Sequence, residues 1–167
     1  MGFSLSERSL SFVARVDPRL VAVARLAITL TDQDFGFAAP QSRTVAEEAA
    51  LVARGASHTL KSHHIIDCRP GWAAPGCSGA LDAVPWDGVA FAWEWPRIYR
   101  VAAAFRAASD RLATPITWGG VWDRLMSEYG ASAAAIEAEE QAYARRQRLL
   151  GNHRVLLDGP HFELGRN

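Results

Sequence analysis

Asp158-Gly159-Pro160-His161-Phe162-Glu163-Leu164 sets a carboxylate and an imidazole three positions apart across a rigid turn. Pro160 fixes φ just before His161, and the alternation of Phe162 and Leu164 with Glu163 predicts a half-buried strand. A histidine at the mouth of a strand, with an acid directed at the same space, suits chemistry by metal-activated water. The imidazole binds the ion and the carboxylate takes the proton. Such a centre needs at least two more ligands from elsewhere in the chain.

Further donors are concentrated upstream. Three of the five histidines, His58, His63 and His64, crowd among Ser57, Thr59 and Ser62. Neighbouring side chains on an extended segment point opposite ways, so one of His63 and His64 is expected to face a given site. A Pro/Gly-rich loop follows, bracketed by the only two cysteines, Cys68 and Cys77. These read as a disulfide or as free thiols rather than catalytic groups, with the reduced form first if the chain is made in a cytosol. A lesser alternative is a structural zinc site that adds His63 to the two thiols. Ala80 to Val84 then reads as a strand that carries Asp82, and Asp87-Gly88 as a turn.

The elements that must position these groups are legible in outline. Ser4 and Glu7 are spaced as a capping box for a short helix. Asp17-Pro18 reads as the cap and first residue of a second helix, with Leu20, Val23, Ala24 and Ala27 on one buried face. Phe35 to Ala39 is a short strand ended by Pro40. Thr44 and Glu47 form a capping box, Ala49, Val52 and Ala53 an apolar face, and Gly55 a helix stop. Pro96 to Ala113 is the clearest helix, with Ile98, Val101, Ala102, Phe105 and Leu112 in its stripe. Pro115 to Trp118 is a strand and Gly119-Gly120 a tight turn. Ser132 to Leu150 is a helix with a thin apolar stripe, closed by Gly151, and suits a lid or an outer layer.

The 167 residues fit one domain with a real core. Lys+Arg and Asp+Glu are both 18, so no electrostatic case exists for nucleic acid or an anionic membrane as the main partner. Six tryptophans are many for this length and are expected mainly to fill the core. No stretch has the apolar length of a membrane span. Met1 to Val16 lacks the continuous apolar run of a signal peptide. The expectation is synthesis as a soluble cytoplasmic protein, with action elsewhere only once something else lets it out.

Ser62-His63-His64, Ala80-Leu81-Asp82 and Asp158-Gly159-Pro160-His161 resemble, in order, the Ser-x-His, Ala-x-Asp and Asp-x-x-His segments of the VanY-like metallopeptidases. These comprise the D-Ala-D-Ala carboxypeptidases and the phage L-alanyl-D-glutamate endopeptidases. Phe3 to Leu10, Asp17 to Leu20, Arg43-Thr44, Gly55 to Ser57, Trp93 to Pro96 and Trp118 to Asp123 resemble segments of the endopeptidase branch. The resemblance implies a single α+β domain over 1–167, with a small antiparallel sheet packed with several helices, as in the hedgehog and D-Ala-D-Ala-peptidase fold. It implies Zn²⁺ held by His64, Asp82 and His161 with a fourth position open to water. Asp158 would be the general base that later protonates the leaving amine. Arg43 would hold substrate or the developing oxyanion, and Ser57, Ser62 and Trp118 would contact substrate. The implied partner is the peptidoglycan stem peptide, met by a monomer in the cell wall after the membrane is permeabilised.

Two departures from the family pattern stand out. Ile65 to Leu81 is a longer separation between the first histidine and Asp82 than is usual, with Ser78 in place of a glycine and an inserted loop at 65–78. Asp67 therefore rivals Asp82, and His63 rivals His64. The other departure is the helix at about 132–150. A D,D-carboxypeptidase and a non-catalytic zinc-containing binding domain are the alternative functions.

Overall fold

The computed structural model describes residues 2–57, 59–69 and 71–165. His58, one of the crowded histidines, and Pro70 lie outside them. The described residues form five α-helices, α1 (Glu7–Phe12), α2 (Pro18–Leu30), α3 (Val45–Ala53), α4 (Trp95–Arg111) and α5 (Ala133–Leu149), and five short strands, and a 3-10 turn spans Met126–Glu128. The strands are β1 (Phe35–Gly36), β2 (Ala80–Asp82), β3 (Val84–Pro85), β4 (Ile116–Trp118) and β5 (His161–Leu164). This is the expected α+β class. Among the described residues no helix is long and apolar enough to cross a membrane.

The sheet that matters has strand order β2-β5-β4, antiparallel throughout. β5 is central, and all four of its residues are buried, so the expectation of a half-buried strand is corrected. Period-two alternation then sorts the side chains onto two faces. Leu81, Phe162 and Trp118 share register on one face. There Phe162 stacks on Phe105 of α4 with ring centroids 3.9 Å apart, inside the main core. The other face carries Asp82 opposite His161, and Ala80 and Thr117 flanking Glu163. Cross-strand neighbours of this kind sit about 4.5–5.5 Å apart at Cβ. The sheet register alone therefore brings Asp82 to His161.

α2 packs on α4 through Leu20, Val23, Ala24 and Ala27, all fully buried, as its stripe predicts. α5 lies outside α4, where Tyr99 donates to Glu140 at 3.1 Å; it is an outer layer. Several local expectations are corrected. Ser6, not Ser4, caps α1, accepting from Ser9 N at 3.1 Å. Only Phe35–Gly36 of the 35–39 stretch pairs as a strand. The 80–84 strand breaks at Ala83, whose N–H turns to the Pro160 carbonyl at 2.8 Å, so β2 joins one sheet and β3 the other. Leu112 is 41% exposed. Of the six tryptophans only Trp118 is wholly buried, and Trp93 is exposed.

Asp17 ties the long 65–78 loop to the core. It is fully buried, caps α2 at Arg19 N (2.9 Å), and accepts from Arg19 Nε (3.0 Å) and Ala74 N (2.7 Å). Burial opposes its charge, but these donors outweigh it and hold the carboxyl below its ordinary value. A carboxyl depressed in the folded state stabilises the fold above its unfolded pKa of about 4. That contribution disappears as pH falls through the folded value. Asp17→Ala is expected to cost about 2–4 kcal/mol at neutral pH, from a lost cap and charge-assisted bonds to buried donors. Urea unfolding at pH 7 and at successively lower pH checks both points: the wild-type advantage should be large at pH 7 and should shrink as pH falls below about 4.

Candidate metal centre

His64 Nε2, His161 Nδ1 and Asp82 Oδ1 form a triangle with sides of 3.3, 3.2 and 3.1 Å. Among the described residues it is the one group of three His, Cys, Asp or Glu residues whose donor atoms converge enough to hold a metal ion. Two ligands of a tetrahedral zinc ion, each about 2.0–2.1 Å from it, lie roughly 3.3 Å apart. Both imidazoles are buried, while the Asp82 side chain is 32% exposed, so the triangle opens to solvent beside the carboxylate.

The ring nitrogens that do not face the triangle are each engaged. His64 Nδ1 donates to the Gln41 carbonyl at 2.7 Å. A carbonyl can only accept, so in the neutral ring the lone pair falls on Nε2, the donor in the triangle. His161 Nε2 lies 3.1 Å from Glu163 Oε2, which leaves the lone pair on Nδ1. Metal-binding histidines are usually oriented in this way by a carbonyl or a carboxylate. Gln41 serves both sides, because its Oε1 accepts the Asp82 N–H at 2.6 Å. The donor set and its supports fit a zinc ion.

The electrostatics of the pocket favour a cation. Burial raises the Asp82 carboxyl, but the field of His64 and hydrogen bonds from His161 and His64 overcome it and hold the group far below the usual carboxylate range. Burial disfavours charge on His161, yet its bonds to Asp82 and Glu163 push the ring up to about 10. Burial likewise opposes ionisation of Glu163, and the bonds to His161 and His63 hold it down to about 2. A field that attracts a proton attracts a metal ion in the same way.

Asp158 sits in the opposite situation. Burial first, then repulsion from Asp82, lift its carboxyl, with His161 and His64 only partly offsetting them. Its side chain accepts no hydrogen bond from the described residues; the turn is closed by backbone, with His161 N to Asp158 O at 3.1 Å and Asp158 N to Gly119 O at 2.9 Å. Gly119 N also donates to the His161 carbonyl at 2.9 Å, and a Cβ at Gly119 would lie 2.2 Å from the Asp158 oxygen. Only glycine allows this approach, so the β4 turn fixes acid and ligand together.

Other expected site residues are placed differently. Arg43 pairs by backbone with the His64 segment, its N–H donating to the His64 carbonyl at 2.8 Å. Its guanidinium is anchored at 2.9 Å by Glu48. Glu48 is the one buried residue of α3, so the apolar face expected from Ala49, Val52 and Ala53 is corrected: Ala49 and Ala53 are exposed. Ser57 donates to Glu48 at 2.6 Å, and the Ser62 hydroxyl accepts the His64 N–H at 3.2 Å. Both hydroxyls are half-buried and engaged inside the protein. Trp118 is fully buried and donates to the Gly159 carbonyl at 2.6 Å, so it supports the turn from behind. The indole beside the centre is half-buried Trp122, 5.1 Å from the His161 ring.

The rivals fall away on geometry. Asp67 is exposed, with a left-handed φ of 54°, and its carboxylate closes its own loop by accepting from Gly76 N at 2.7 Å. His63 does not enter the triangle; its Nδ1 lies 2.5 Å from Glu163 Oε2. Cys68 and Cys77 are free thiols, and burial pushes Cys68 up.

The sequence profile of the phage L-alanyl-D-glutamate peptidases matches residues 1–137. The chain belongs to this family. It is a peptidase. The matched span includes His64 and Asp82 but stops before Asp158 and His161; the sheet register pairs His161 with Asp82. Among solved structures the chain is similar to the Serratia marcescens L-Ala D-Glu endopeptidase ChiX, with a TM-score of 0.64 and 26% identity over 95% of this chain and 87% of that one. No curated protein matches the chain.

Proposed function

We propose that this peptidase is a zinc-dependent endopeptidase that cuts the L-Ala–D-Glu bond of the peptidoglycan stem peptide, and that it serves phage lysis by acting on the host cell wall. The observation that carries the reading is the His64–Asp82–His161 donor triangle with an unengaged, charge-disfavoured Asp158 beside it. Zinc held by these three residues supplies a Lewis acid for the scissile carbonyl and brings the pKa of water to about 7.

The chain's own groups do the rest. Asp158, with a raised carboxyl and no internal donor, accepts the proton of the attacking water and returns it to the leaving amine. Arg43, fixed at one nitrogen by Glu48, offers its remaining N–H groups to the substrate or to the oxyanion. Gln41 and Ser62 keep His64 in place. All these residues come from one chain, which suits a monomer.

The test is digestion of purified peptidoglycan with mass spectrometry of the new termini, with and without a chelator. New D-Glu amino termini that vanish on chelation and return with zinc are the expected result. Released D-Ala would make the protein a D,D-carboxypeptidase, and no cleavage a binding domain.

A further inference from the structure

The sheet face that bears the donor triangle also buries Glu163, which the reaction outlined above does not use. Glu163 is 7% exposed, a costly position for a carboxylate unless it is fully partnered. One of its oxygens, Oε2, receives two imidazoles, His161 Nε2 at 3.1 Å and His63 Nδ1 at 2.5 Å. His63 is in turn packed against Trp72, with ring centroids 4.3 Å apart. Trp72 fills the space left by Gly79, where a Cβ would lie 2.2 Å from the indole. Its carbonyl accepts from Arg19 at 2.9 Å, which anchors the cysteine-bracketed loop to α2.

We propose that Glu163, clamped by His63, which Trp72 of the 65–78 loop packs against, is the positioning residue that holds His161 with Nδ1 toward the metal. The inference rests on the zinc reading above. The geometry leaves the His161 ring one orientation. Its Nε2–H points at Glu163, because a rotated ring would leave the buried carboxylate with His63 as its one remaining partner. His63 holds the carboxylate from the far side, so Glu163 cannot swing away without uncovering two imidazoles. The inserted loop thus braces the metal site through His63 and Glu163, while adjacent His64 supplies a donor atom to it.

The experiment measures zinc affinity by chelator competition for wild type, E163A, E163Q and H63A, alongside thermal unfolding of the metal-free proteins. Loss of an outer-shell partner of a metal-binding histidine typically costs about 10–100-fold in affinity. E163A is expected to fall in that range. E163Q is expected to lose less, since its amide oxygen still accepts from His161, and it retains the shape if E163A does not fold. H63A should keep one zinc per chain with a smaller loss of affinity. Wild-type affinity in both Glu163 variants would overturn the proposal. A lowered metal-free unfolding temperature with unchanged affinity would also overturn it, because it would assign Glu163 to the fold alone. Absence of zinc binding by wild type would overturn the zinc reading itself, and this inference with it.

Discussion

Asp158→Asn is expected to retain its zinc and lose turnover by roughly 10²–10⁴-fold, the usual contribution of a positioned acid–base group. The substitution keeps size and shape but removes the ability to take a proton. The fold should tolerate it, because the turn at 158–161 is closed through the Asp158 backbone and not its side chain. His64, Asp82 and His161 are untouched, so metal content should stay at the wild-type level. If Asp158 only shaped the turn before Pro160, asparagine, an equally good turn former, would replace it with little loss. Bound zinc and the rate of wall lysis, measured together on both proteins, separate the two. Full zinc with near-normal lysis would remove Asp158 from the mechanism.

Much of the fold was legible where side chain and backbone act locally. Asp17-Pro18, Thr44 with Glu47, Ser132 and Gly151 each mark a helix end by satisfying or releasing backbone groups within a few residues. What failed depends on partners distant in sequence. Alternation in 161–164 reads as one wet face, yet Glu163 is buried with His63, a hundred positions away, and Trp72 of the 65–78 loop packs on that histidine. Glu48 looks like the polar side of α3 but is its buried side, because Arg43 and Ser57 neutralise it there. The donor triangle takes His64, the histidine of the Ser62-x-His64 pattern, but the alternation argument does not apply, because His63 and His64 lie in a turn and not in an extended segment. Adjacent residues in that turn still diverge, one toward Asp82 and one toward Glu163. Trp118 carries a motif shared with the family, and motif alone cannot tell a side chain that touches substrate from one that backs the turn. Gln41 had no local signal, since both its roles require His64 and Asp82 to be already in place.

The ligand set makes the largest prediction. His64→Ala, Asp82→Ala and His161→Ala should each lose zinc and bring wall lysis to background, while His63→Ala should keep one zinc per chain at saturating metal. A three-residue zinc site has no spare donor: two ligands cannot hold the ion against water and buffer at ordinary concentrations. Asp82→Ala removes the only carboxylate of the triangle and leaves two imidazole donors. His64→Ala and His161→Ala each remove a donor whose orientation the fold has already fixed, by Gln41 in one case and Glu163 in the other. Because the imidazoles are buried, circular dichroism of each variant must accompany the metal analysis, so that an unfolded chain is not read as a lost ligand. His63 lies on the far side of Glu163 and contributes no atom to the triangle, so its removal tests the register directly. A His63→Ala variant without zinc, beside a His64→Ala variant that retains it, would place the metal one residue earlier and refute the site.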